Sequence, residues 1–68
     1  MKDEFFNELD KCKSRLDVYN LIELHFNQNS LIGSYLINEF LNHMTFEVPE
    51  LINVLKEAYE FIENNINK

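Results

Sequence analysis

A chain of 68 residues with 12 acidic and 6 basic side chains, a net charge of -6 and one cysteine has room for one domain and no intrachain disulfide. Its few basic residues are largely interleaved with acids near the start, which excludes autonomous binding to a phosphate backbone. An apolar fraction of 46% excludes a disordered chain, and a single glycine and a single proline supply too little turn chemistry for a β-rich one.

The opening "MKDEFFNELDK" has acids where a signal peptide needs a basic segment and then an apolar one. No apolar run approaches the roughly 18 residues of a membrane span. A cytoplasmic protein with no membrane partner is the expectation, and Cys12 as lone cysteine agrees with a reducing compartment. Residues 1–68 read as a single helical domain. A core this small is normally supplemented by a metal, a disulfide, self-association or a partner; with no disulfide possible, self-association or a protein partner is expected.

The first helix is predicted from Asp3 to Lys11, with Phe5, Leu9 and Cys12 on one apolar stripe and Phe6 beside them. Next comes "SRLD", a capping box in which Ser14 accepts from the Asp17 amide and the Asp17 side chain reaches back. It opens a second helix from Arg15 to about Asn27, whose apolar face carries Val18, Tyr19, Leu21, Ile22 and Phe26. "NQNS" closes that helix and offers Ser30 as the next N-cap.

The third helix, Leu31 to about His43, lies in a stretch, residues 24–46, whose only formal charge is Glu39. Ile32, Gly33, Leu36, Ile37, Phe40, Leu41 and Met44 cover about half its circumference, wider than the ~100° stripe of an ordinary surface helix. Gly33 either permits close approach of another backbone or sits near a frayed start. The fourth helix carries Val48, Ile52, Leu55, Tyr59, Ile62 and Ile66 on a heptad-like seam to Ile66. Pro49 fits its first turn, and Glu47 and Glu50 suit its positive N-terminal end. Val54, Ala58 and Phe61 make a second apolar row.

Cys12, His25 and His43 are the residues to inspect for zinc or nucleophilic catalysis, but their spacing fits no zinc pattern. No phosphate loop, nucleophile elbow or metalloprotease motif is present. We therefore expect no enzyme, no cofactor, and no catalytic, cofactor-binding or metal-ligating residue. Glu50, Glu57, Glu60 and Glu63 read as a solvated acidic face; calcium loops need alternating Asp and Gly.

The fold class expected is all-α, a small dimeric bundle of three to four short helices. The function expected is a non-enzymatic acidic protein-binding module, a homodimer that acts as regulator, inhibitor or adaptor of a protein partner. Ile37, Leu41, Met44, Val54 and Phe61 are the candidate partner-facing residues, because helices three and four carry more apolar surface than the chain can cover. A second reading is a DNA mimic whose Glu rows occupy a nucleic-acid-binding cleft on a target. Finally, "LDKC" at Leu9–Cys12 followed by "NHMTFEVP" at Asn42–Pro49 resembles the small Hha/YmoA-type modulators, which implies a nucleoid-associated protein as partner. The chain departs from that family in its shorter spacer, the missing charged signature of the third helix and the length of its last helix.

Overall fold

A computed structural model describes residues 2–26 and 29–66. They form α1 (Lys2–Lys11), α2 (Arg15–His25), α3 (Leu31–Asn42) and α4 (Val48–Ile66). Each helix packs on the next, and α4 closes back on α1, with α3 against α4 the most extensive pair. The radius of gyration is 10.9 Å, the value of about 10.9 Å that a compact chain of this length takes. The all-α bundle expected from the sequence is therefore present.

The helix starts follow the caps. Ser14 holds extended geometry (φ -139°, ψ 163°) and its hydroxyl accepts from the Asp17 amide at 3.1 Å. The Asp17 carboxylate reaches back to the Lys13 amide at 3.2 Å. Ser30 repeats the first half of the motif, accepting from the Gly33 amide at 3.0 Å. These side chains satisfy amides that have no intrahelical acceptor.

The helix ends fall slightly short of their expected positions. The second helix stops at His25, because Phe26 swings into extended geometry (φ -134°) while its amide still bonds to Ile22. That swing sends its ring into contact with Phe5 and Tyr59; the expected end, Asn27, lies outside the described residues. The third helix stops at Asn42, and Met44 sits in the following turn rather than on the helical face assigned to it.

Phe5, Leu9, Val18, Ile22, Leu36, Leu51 and Leu55 are completely buried, so every helix contributes to one core. Lys2 pairs with Glu60 at 3.3 Å and Lys56 with Asp10 at 2.7 Å. Residue numbers thus rise along α1 as they fall along α4, so the two helices run in opposite directions.

Gly33 is buried, which favours close packing over a frayed start. Gly33→Leu is expected to destabilise by about 1–3 kcal/mol through overpacking. Gly33→Ala should fall short of the stabilisation of about 1 kcal/mol that an unpacked helical glycine gains. Urea unfolding curves of both variants check this; a full gain in Gly33→Ala would restore the frayed-start reading.

A candidate protein-binding surface

Helix α3 buries Gly33, Leu36 and Phe40, which fixes the direction of its opposite face. The exposed residues there are Leu31, Ser34, Asn38, Leu41 and Asn42, and none carries a charge. On a chain of net charge -6 this contrasts with the other helices. Exposed Asp3, Glu4 and Asp10 lie on α1, Arg15 and Asp17 on α2, and Glu50, Glu57 and Glu60 on α4. Glu39, the one charge in α3, is half-buried, and its carbonyl accepts from His43 Nδ1 at 2.7 Å.

The large apolar members of this face are open: Leu31 is 61% and Leu41 56% exposed. Such exposure is unremarkable for a single leucine, but neutral neighbours around both are a compositional departure from the rest of the surface. One flank of the face is closed by Tyr35, whose ring stacks on Phe61 at 6.1 Å and 28°. The C-terminal end is closed by the turn carrying Met44 and Phe46, both exposed.

Arg15 fixes that turn. Its Nε donates to the Met44 carbonyl and an Nη to the Phe46 carbonyl, both at 2.7 Å. The guanidinium so sits where the carbonyls past the end of α3 carry partial negative charge. The Phe46 ring meets the His43 imidazole edge-on at 5.0 Å. Arg15 had no role in the sequence reading, since an arginine at the start of a helix gives no signal of a carbonyl acceptor 29 residues away.

The five partner-facing candidates divide into two sets. Ile37, Leu41 and Met44 run along one side of α3 and into the turn, Ile37 half-buried against the core and the other two exposed. Val54 and Phe61 lie one heptad apart on α4, Val54 half-buried and Phe61 57% exposed. Tyr35 joins Phe61 to α3, but on a wheel of about 100° per residue it lies nearly opposite Ile37. Between the two sets runs the exposed row Leu31, Ser34, Asn38 and Asn42; Leu31, Asn38 and Asn42, with Tyr35 beside them, already have an interface composition in the sequence, whereas Ser34 gives no signal there. The near absence of charge over residues 24–46 is the sequence signal that points to this stretch.

Cys12 and His25 occupy different surroundings. The Cys12 sulfur donates weakly to the Glu8 carbonyl at 3.5 Å. Burial, then the nearby Asp17 and Glu8 carboxylates, push its thiol above the usual range, the reverse of what activates a nucleophile. His25 packs its ring on Phe5 at 5.4 Å within an aromatic cluster. A shallow depression of about 270 Å³ lies between α1 and α2, with Cys12, Leu21 and Leu24 at its floor and rim and Glu8, Lys11 and Asp17 around it. Among the described residues no group of three or more His, Cys, Asp or Glu is placed to hold a metal ion. No described helix is long and apolar enough to cross a membrane.

No protein-family model matches the chain, and neither a curated protein nor a solved structure matches it.

Proposed function

We infer that the chain is a non-enzymatic protein-binding module, a homodimer that acts as regulator, inhibitor or adaptor of a protein partner. The observation that supports this reading is the uncharged outer face of α3, with Leu31 and Leu41 open on it, on a protein of net charge -6. A solvated face with no binding task is free to carry charge, and the other three helices do carry it. A neutral face with leucines at its ends and a stacked Tyr35–Phe61 pair at its edge has the composition of a contact surface whose core is depleted in charge. A nucleoid-associated protein as partner is an alternative that rests on the resemblance of Leu9–Cys12 and Asn42–Pro49 alone.

Capture of bound proteins from host extract tests the reading, with wild type, Leu41→Glu and Leu24→Glu as baits. Leu24 is 81% exposed on α2 and serves as the distant control. A protein held by wild type and Leu24→Glu but lost from Leu41→Glu is the expected result; retention by all three would exclude the α3 face. The second reading, a DNA mimic, draws on the exposed Glu50, Glu57 and Glu60 of α4. It requires target binding that weakens steeply with salt, whereas the apolar face requires only weak salt dependence.

A further inference from the structure

We propose that the uncharged face of α3 is the site where a second copy of this chain docks, by an antiparallel, two-fold pairing of α3 with its counterpart. This rests on the preceding reading that the face is a contact surface, and it adds the occupant and the register.

The first argument is the order of residues along the face. Leu31, Ser34, Asn38 and Leu41 are all exposed, and they follow one another at spacings of 3, 4 and 3. That spacing reads the same in both directions, with a leucine at each end and an uncharged polar residue at each inner position. A two-fold interface requires that if one residue meets another, the reciprocal contact also forms. Antiparallel pairing about the middle of this row sets Leu31 against Leu41 of the second copy, twice. It also sets Ser34 against Asn38, where hydroxyl and amide supply donors and acceptors in equal measure. Serine at this position keeps the row low enough for two helices to approach at about 8–10 Å.

The second argument is charge. Two copies carry -6 each, so association through α1 or α4 would press carboxylates together within a screening length of about 8 Å. The exposed positions of α3 carry no charge, so they offer a second acidic copy an approach with less repulsion than α1 or α4. A basic partner would instead gain most from the acidic faces, which leaves the neutral one without a reason.

Area sets the expected strength. The chain exposes 4468 Å², close to the about 4,500 Å² of a compact monomer of this mass. An interface of about 600 Å² per copy, at the weak end of the specific range, would occupy about one seventh of the 4468 Å². A concentration-dependent dimer follows, strengthened by salt, because screening relieves the repulsion between the acidic flanks.

Sedimentation over a concentration series, at low and high salt, gives the first test. Wild type and Leu24→Glu should dimerise, more tightly at high salt, and Leu41→Glu should weaken the dimer at least roughly tenfold, since each dimer receives the unpaired charge twice. Circular dichroism confirms that the variants stay folded. The register is tested with Leu31→Cys and Leu41→Cys copies in a Cys12→Ser background under mild oxidation. Mixing them should give a mixed disulfide, while each alone gives none, because its two cysteines lie at opposite ends of the paired row. A wild type monomeric at every concentration, or cross-linking within either variant alone, overturns the proposal. If Leu41→Glu nevertheless loses a captured host protein, the binding-module reading survives and the occupant of the face is that protein.

Discussion

Phe5→Ala is expected to remove much or all of the protein's stability. Phe5 is completely buried, and its ring meets Phe26 at 5.1 Å, His25 at 5.4 Å, Tyr59 at 5.8 Å and Phe6 at 6.3 Å. It therefore joins α1 to the end of α2 and to the middle of α4. Removing such a ring costs about 3–5 kcal/mol. A chain of 68 residues has a total stability of only about 3–10 kcal/mol, so one substitution consumes much or all of it.

The remaining attachments of α1 cannot compensate. Leu9 is its other fully buried residue, and its cross-helix ion pairs, Lys2–Glu60 and Lys56–Asp10, lie at the surface, where such pairs contribute at most about 1 kcal/mol each. Phe6→Ala is the informative comparison. Phe6 is half-buried, with the Lys2 and Lys56 ammonium groups 5.8 and 5.6 Å from its ring centre, and its loss should be clearly smaller. Far-ultraviolet circular dichroism and urea titration measure both. A Phe5→Ala protein as stable as Phe6→Ala would mean that the aromatic cluster does not hold α1.

The helices were legible because each relies on local chemistry. Ser14 and Ser30 cap their helices as the sequence indicates, and the start of α4 at Val48 with Pro49 in its first turn is where the pattern places it. Less legible was anything set by how helices meet. Phe26 leaves its helix to join rings from α1 and α4, a choice made by residues remote in sequence. Arg15 reaches the turn after α3 for the same reason. For the candidate site, periodicity identified Leu41 and Phe61 as apolar residues with nothing to cover them. It gave no weight to Ser34, whose relevance emerges only when its exposure is seen beside that of Leu31, Asn38 and Leu41.

The inward face of α4 is where sequence and structure differ most, and the difference has a measurable consequence. A seam of Val48, Ile52, Leu55, Tyr59, Ile62 and Ile66 leaves out Leu51 and assigns Ala58 to a weaker row. In the structure Leu51 is completely buried and Ala58 is 5% exposed, whereas Ile66 is 44% exposed. Two physical effects account for this. Ile66 lies 18 residues, or about five whole turns, after Val48 and so keeps the direction of the seam; its exposure goes with its place as the last residue of α4. Moreover, α4 packs on both α3 and α1, which needs a broader stripe than the narrow seam of two paired helices. Leu51 and Ala58 supply the added width. Leu51→Ala should therefore cost about 2–5 kcal/mol, and Ile66→Ala about 0.5 kcal/mol or less, as at an exposed position. Urea unfolding of the two variants compares them directly, with similar slopes required for the midpoints to report stability alone. The reverse ranking would return α4 to its heptad seam and would place the core between two helices rather than among four.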